Sequence, residues 1–99
     1  MQVNVRFESP RALLSLNGNF TFEVHREFKQ ATTSALDHDG LNEIEIDFSA
    51  VDYMDSAALG MLLLFNERAA GKKITLVKCK GTVKSVLDIA NFGKIFEIR

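Results

Sequence analysis

The residues best placed to do chemistry in this 99-residue chain are an adjacent carboxylate and hydroxyl, Asp55 and Ser56. They belong to the stretch VDYMDSAALGMLLLF (51–65), in which residues 57–65 carry no charge. A short polar side chain before an apolar run is typical of a helix N-cap, where it accepts hydrogen bonds from free backbone N–H groups. A serine at such a position can also be presented to another protein and modified by it. The sequence leaves both interpretations of Ser56 open.

Catalysis by Ser56 would need a general base, and the chain contains two histidines, His25 and His38. Spacing ties neither of them to the serine, and both are more typical of solvated surface residues. The phosphate-binding patterns G-x-x-x-x-G-K-[ST] and G-x-G-x-x-G do not occur, and DHDG (37–40) does not continue as a calcium loop. We therefore expect a protein that is not an enzyme and has no cofactor or metal. A nucleotide-binding or hydrolytic module is the weakest hypothesis.

The composition predicts one globular domain spanning residues 1–99. Hydrophobic residues make up 46% and charged residues 25% of the chain, and this length suits one core. The formal net charge of −1 gives no basic field to attract nucleic acid or an anionic membrane. No apolar run approaches the roughly 20 residues that span a bilayer, the N-terminus is not a signal peptide, and the lone Cys79 indicates a reducing compartment. We expect a cytoplasmic protein that is a monomer or a weak dimer.

Alternating apolar and polar residues predict five strands. Two of them form a hairpin around the turn SPR (9–11), and three more lie at EIEIDFS (43–49), KITLVKC (73–79) and a short closing KIFEI (94–98). With three helices between them, the order β-β-α-β-α-β-α-β predicts an α/β fold. We expect one curved mixed sheet of about five strands with crossover helices packed mainly on one face.

Apolar residues at helical spacing predict the three helices. The first is expected to start at a Thr21 cap and to stop before Gly40, a left-handed residue. The second runs from the Asp55–Ser56 pair to about Ala70, and Thr82 caps the third.

The second helix has two apolar faces when its residues are placed at about 100° per residue. The stripe that we expect to be buried consists of Ala58, Met61, Leu62, Phe65 and Ala69. The opposite side carries Ser56, Gly60, Leu63 and Glu67, with Leu64 at its edge. A solvated helix would have Lys or Glu in place of these leucines, and glycine costs about 1 kcal/mol of helix propensity relative to alanine. Either a partner protein contacts this face, or the leucines pack under a neighbouring helix and the glycine relieves internal crowding.

A phosphate on Ser56 would act as a switch, because it adds about −1.5 to −2 charges. The positive end of the helix dipole tolerates that charge, so the fold should survive. A partner pressed against Gly60 and Leu63 would not tolerate it, because a hydrated anion beside Asp52 and Asp55 is costly to bury without partners. The expected result is a broken contact and an intact domain.

Three stretches of the sequence resemble the STAS domain of bacterial anti-sigma factor antagonists. They are LNGNFTF (16–22), EIEIDFSAVDYMDSAALGMLLL (43–64) and KKITLVKCKGTVKSVLDIANFGKIFEI (72–98). The most specific part is the pattern D-S-x-x-L-G, which starts at Asp55 and ends at Gly60. The resemblance covers nearly the whole chain and implies a single STAS domain.

The resemblance implies a partner switch in which this protein is a substrate and a competitor. In that family a kinase-type anti-sigma factor phosphorylates the serine that matches Ser56, and a PP2C-type phosphatase removes the phosphate. The unphosphorylated domain binds the anti-sigma factor and frees a sigma factor for transcription, whereas the phosphorylated form lets go. The implied partner-binding residues are Asp55, Ser56, Ala57, Gly60, Leu63, Leu64, Glu67, Asn19 and Thr21.

The sequence departs from the family pattern at two places. The common motif D-S-S-G-L-G has its second serine and first glycine replaced by Ala57 and Ala58, which removes a hydroxyl and some backbone freedom. Asn19 and Thr21 stand where the family pattern G-E-[LIV]-D has two acids near the partner surface. The alternative function is a constitutive STAS interaction subunit of a transporter or another regulator, in which Ser56 is only a helix cap.

Overall fold

The computed structural model describes residues 2–8 and 10–99, so Met1 and Ser9 of the predicted SPR turn lie outside the described residues. Within these ranges, five strands form one sheet and three α-helices pack against it. The strands are β1 (Gln2–Glu8), β2 (Arg11–Asn17), β3 (Glu43–Ala50), β4 (Lys73–Val77) and β5 (Glu97–Ile98), and the helices are α1 (His25–Leu36), α2 (Ser56–Arg68) and α3 (Gly81–Ile89).

The sheet is mixed, as predicted. β1 and β2 form an antiparallel hairpin whose register runs from Gln2 opposite Asn17 to Glu8 opposite Arg11. β3, β4 and β5 then follow in spatial order, each parallel to the strand before it. The three parallel connections contain α1, α2 and α3 and all move across the sheet in the same direction. Because such crossovers are right-handed, the three helices lie on one face of the sheet.

Side-chain alternation explains why one face of the sheet is buried and the other is not. In β3, Ile44, Ile46 and Phe48 are fully buried. Successive side chains of a strand point to opposite faces, so Glu45 and Asp47 lie on the face without helices, where they are partly exposed. Among the described residues, no helix combines the length and apolar character needed to cross a membrane.

The predicted apolar stripe of α2 is confirmed, since all five of its residues are buried. At its centre Phe65 meets the ring of Phe28 from α1 edge-to-face, with ring centroids 6.1 Å apart and planes at 83°. This geometry is favourable for aromatic pairs. Because the stripe faces the core, the opposite side of α2 faces solvent.

The ends of α1 differ from the prediction. Thr21 precedes a short 3-10 helix (Phe22–Val24) and makes no side-chain cap hydrogen bond. α1 itself begins only at His25, because the loop before it is tied to the start of α2, as described below. Gly40 has the expected left-handed φ of 85°, but α1 already ends at Leu36, so this glycine shapes the following turn and not the helix end.

The C-terminal elements also differ from the prediction. Thr82 is not a cap, since α3 already begins at Gly81. The predicted strand 94–98 shrinks to β5, because a 3-10 turn (Phe92–Lys94) precedes it. Phe92 and Phe96, on either side of the end of this turn, are both buried in the core.

Candidate functional site

Ser56 is the first residue of α2 and is exposed. The N-cap is Asp55, whose backbone is extended (φ −103°, ψ 179°) and whose Oδ1 accepts a hydrogen bond from the Ala58 N–H at 2.9 Å. The interpretation of Ser56 as the helix cap is therefore wrong, because the neighbouring carboxylate caps the helix instead. The Ser56 hydroxyl is left at the surface, within reach of another protein.

The loop before α1 lies against the start of α2. The Phe20 N–H donates to the Tyr53 carbonyl at 2.8 Å, and the Asp55 N–H donates to the Phe20 carbonyl at 3.2 Å. Oδ2 of Asp55 also accepts a hydrogen bond from the Phe22 N–H at 3.2 Å. Asp55 thus joins the loop to the helix with one carboxylate oxygen while it caps the helix with the other.

These hydrogen bonds bring the two sequence-predicted parts of the site together. Asn19 is exposed and Thr21 is half-buried, and they flank Phe20, which forms a parallel bridge with Met54 two residues before Ser56. The loop residues and the start of α2 therefore form one surface. That a partner contacts Asn19 and Thr21 stays a prediction.

The second part of the site is the side of α2 that faces solvent, here called the outer face. Leu63 is 40% and Leu64 is 60% exposed, so the interpretation that they pack under a neighbouring helix is wrong. Adjacent exposed leucines are typical of a surface that meets another protein. The outer face consists of Ser56, Gly60, Leu63, Leu64 and Glu67. The predicted partner residue Ala57 lies beside it, is only partly exposed and packs against the core.

Gly60 is not explained by crowding within the domain. A Cβ atom added to Gly60 would meet no heavy atom within 4 Å, so the interpretation that it relieves internal crowding is wrong. Alanine would fit there and improve helix propensity by about 1 kcal/mol. What a glycine offers at an open position is close approach by the backbone of another molecule.

Two aromatic residues near Ser56 were missed by the sequence patterns. Phe22 is 67% and Tyr53 is 48% exposed, and both lie in the segments that hydrogen bonds join beside Asp55. Large aromatic side chains often anchor protein interfaces. Alternation would not have found Phe22, because residues i and i+2 of an extended segment share a face and Phe20 is fully buried. The chain turns into a 3-10 helix at Phe22, so Phe22 does not follow Phe20 into the core.

Both histidines are exposed and stack on aromatic rings, as expected for surface residues. His38 stacks on Phe7 with centroids 3.9 Å apart, and His25 stacks on Phe22 at 5.6 Å. These contacts do not direct either imidazole to Ser56 as a general base. Cys79 offers no better nucleophile, because partial burial raises the pKa of its thiol to about 11.

The uncovered face of the sheet is concave, with a cavity of about 510 Å³, and its charges are paired. Arg11 contacts Glu45 at 3.1 Å, and Lys78 lies 3.8 Å from Asp47. Burial raises the pKa of the Asp47 carboxyl, but a hydrogen bond from the Ser49 N–H and the Lys78 ammonium outweigh burial and hold it below its ordinary value of 3.8. Because these charges neutralise one another, the cavity offers little attraction for a charged ligand.

Residues 3–97 match the model of a protein family described as "Mlab, STAS domain". A STAS-domain containing protein of Pseudomonas aeruginosa (strain UCBPP-PA14) is 33% identical to this chain over an alignment of 87 residues, and the match covers 86% of this chain and 84% of that protein. The match includes the loop before α1 and the outer face of α2.

Solved structures share the fold, which confirms the predicted STAS architecture. An anti-sigma factor antagonist from Mycobacterium paratuberculosis has a TM-score of 0.87 at 18% identity, covering 98% of this chain and 83% of that one. The phosphorylated form of the Bacillus cell fate determinant SpoIIAA has a TM-score of 0.73 at 15% identity, covering 99% and 91%. A sulfate transporter family protein from Wolinella succinogenes has a TM-score of 0.73 at 17% identity, covering 86% and 70%.

Proposed function

Because the chain belongs to the STAS-domain family, we propose that it is an anti-sigma factor antagonist. In this proposal the protein is a cytoplasmic binding protein and not an enzyme: it binds an anti-sigma factor and thereby frees a sigma factor. The observation that supports the proposal most is the exposed hydroxyl of Ser56 at the start of α2, where Asp55 and not Ser56 caps the helix. The fold shared with an anti-sigma factor antagonist and with phosphorylated SpoIIAA agrees with it.

In the unphosphorylated state the outer face of α2 binds the anti-sigma factor. Leu63 and Leu64 are already exposed, so their burial against a partner removes apolar area from water at about 25 cal/mol per Å². The missing side chain of Gly60 allows the partner backbone to come close to α2. Phe22 and Tyr53 extend the contact to the loop side of Ser56.

Phosphorylation of Ser56 by a kinase-type anti-sigma factor switches this binding off. The helix dipole stabilises an anion at this position by about 0.3–1 kcal/mol. A phosphate of about −1.5 to −2 charges inside the interface, next to Asp55, instead costs several kcal/mol when it lacks a cationic partner. The second effect is larger, so phosphorylation disrupts the complex and spares the fold. A PP2C-type phosphatase restores the binding state.

The departures from the family motif leave the phosphate acceptor in place. Ala58 is fully buried in the stripe of α2 and donates its N–H to Asp55, so the side chain at this position serves the core and not the partner. Asn19 and Thr21 leave residues 18–22 of the neighbouring loop without a charge. The partner of this chain therefore needs fewer cations opposite this loop than the partner of a relative with two acids there.

The proposal is tested with protein isolated from its own cells. Intact-mass analysis is expected to show a population heavier by one phosphoryl group, located on Ser56 by fragmentation and removed by phosphatase treatment. In parallel, Ser56→Ala and Ser56→Asp variants serve as baits, and an anti-sigma factor is expected on the first bait only. Absence of the modification, together with equal capture by both baits, would refute the switch.

A second candidate function is a constitutive interaction subunit of a transporter. It is favoured by the shared fold with the sulfate transporter family protein from Wolinella succinogenes. This alternative keeps the outer face as the docking surface but gives Ser56 no regulatory role. Capture of the same transporter by both baits, with no modification of Ser56, would favour it.

A further inference from the structure

A groove of about 250 Å³ runs between α1 and α2, beside the outer face. Its floor is apolar: Phe28 is 2% and Met61 is 9% exposed, and Leu64 forms one wall with 60% exposure. His25 and Lys29 from α1 and Arg68 from α2 form its rim. The groove thus combines an apolar floor with a rim that carries basic groups and no acid.

The two full cations of this rim have no acidic partner among residues 2–8 and 10–99. The Arg68 guanidinium is held instead by neutral groups, since it donates to the hydroxyls of Thr32 at 3.4 Å and of Thr33. Lys29 forms no salt bridge within the same part of the chain. On the uncovered face of the sheet, by contrast, Arg11 is paired with Glu45 and Lys78 with Asp47. The rim of the groove therefore keeps its positive charge available for an external anion.

We propose that this groove binds an acidic amphipathic helix of a partner protein. An apolar side chain of that helix fills the space above Phe28 and Met61, and carboxylates one turn to either side meet Lys29 and Arg68. An apolar groove on a protein surface can bind an amphipathic helix that presents apolar residues at i, i+3 or i+4. The inference goes beyond the proposed function, because it holds whether or not Ser56 is phosphorylated.

The size and shape of the groove favour a protein segment over other ligands. Its volume lies below the roughly 300–1,000 Å³ of pockets that enclose small molecules. An anionic membrane would also attract a basic rim, but a flat bilayer surface does not reach the buried floor between two helices. A helix with one projecting side chain satisfies the floor and the rim together.

The test uses the full chain, labelled with ¹⁵N, and two synthetic peptides of about 18 residues, which form about five helical turns. Both peptides carry leucine at i, i+4 and i+7, and these leucines are flanked by glutamate in one peptide and by lysine in the other. The acidic peptide is expected to shift the amide signals of the residues that line the groove and to bind more than about tenfold tighter than the basic peptide. That ratio equals about 1.4 kcal/mol. Equal affinity of both peptides, or shifts outside the groove only, would overturn the proposal.

Charge reversal sharpens the test. Lys29→Glu is expected to lower the affinity for the acidic peptide and to raise that for the basic one, whereas Lys80→Glu, on the loop before α3, should change neither. Arg68→Glu should act like Lys29→Glu, but it also removes the hydrogen bonds to α1, so Lys29→Glu decides the question. An unchanged preference in Lys29→Glu would refute the proposal.

Two further arms separate this inference from its alternatives. Ser56→Asp is expected to bind the acidic peptide like the wild type, so failure of the groove proposal and failure of the Ser56 switch are distinguishable. Vesicles of phosphatidylcholine with phosphatidylserine are expected to leave the groove signals unshifted. Saturable binding of these vesicles through Lys29, without binding of the acidic peptide, would show that the groove binds a membrane and not a protein helix.

Discussion

The outer face of α2 and the uncovered face of the sheet are both open to solvent, but they differ in chemistry. The sheet face carries charges that are already paired within the domain, such as Arg11 with Glu45. The outer face carries the exposed leucines Leu63 and Leu64 and a glycine that the fold does not need. Paired charges are satisfied in the free protein, whereas exposed leucines gain only when something covers them. The contrast supports the proposal that α2, and not the concave sheet, is the binding surface.

The largest effect is expected when an arginine is placed on each of the two surfaces in turn, because only the binding surface should lose affinity. Leu63→Arg is expected to weaken binding of the anti-sigma factor captured by the Ser56→Ala bait by more than about tenfold, or about 1.4 kcal/mol. The matched control is Ser15→Arg, at an exposed position of the sheet face beside Asp47, which should bind normally. Calorimetric titration measures both affinities, and thermal unfolding should show both variants folded. Unchanged binding of Leu63→Arg, or loss of binding in Ser15→Arg, would reverse the assignment.

The next largest effect separates the cap from the phosphate acceptor. Asp55→Ala removes the acceptor for the N–H groups of Ala58 and Phe22 and is expected to lower the free energy of unfolding by about 1–2 kcal/mol. Ser56→Ala should change it by less than about 0.5 kcal/mol, as is usual for exposed positions. Urea denaturation of both variants checks the ranking. If Ser56→Ala lost more unfolding free energy than Asp55→Ala, Ser56 and not Asp55 would be the helix cap.

The smallest effect concerns Gly60, where stability and binding are expected to move in opposite directions. Gly60→Ala should raise the free energy of unfolding by up to about 1 kcal/mol, because a Cβ fits there without a contact. The same methyl group should weaken binding of the anti-sigma factor by keeping the partner backbone away from α2. Urea denaturation and titration of one preparation give both values. Equal or tighter binding would show that the glycine has no role in docking.

The sequence predicted the fold well where periodicity decides the structure. The alternation of Ile44, Ile46 and Phe48 defined β3 and its buried face, and the spacing from Ala58 to Ala69 defined the buried stripe of α2. The same spacing placed Leu63 opposite this stripe, with Leu64 at the edge, but it left open whether the two leucines are exposed or packed under a neighbouring helix. These features follow from the spacing of apolar residues along the chain, which the sequence shows directly.

The sequence predicted the details of the site less well, because they depend on contacts between distant segments. Pattern alone could not decide between Asp55 and Ser56 as the cap. The hydrogen bond from Phe22 to Asp55 joins residues far apart in the chain. It fixes the loop that exposes Phe22, and it accompanies a start of α1 later than Thr21 predicts. Likewise the rim of the groove combines residues of α1 and α2 that are far apart in the sequence, so no local pattern predicts it.

The most direct test of the central claim measures affinity and melting temperature together for four proteins. They are the wild type, Ser56→Ala, Ser56→Asp and Ser85→Asp, the last of which adds the same charge at an exposed position of α3. We expect Ser56→Asp alone to lose more than about tenfold in affinity for the anti-sigma factor, while all four proteins melt within a few degrees of one another. Equal affinity of Ser56→Ala and Ser56→Asp, or unfolding of Ser56→Asp, would contradict the account.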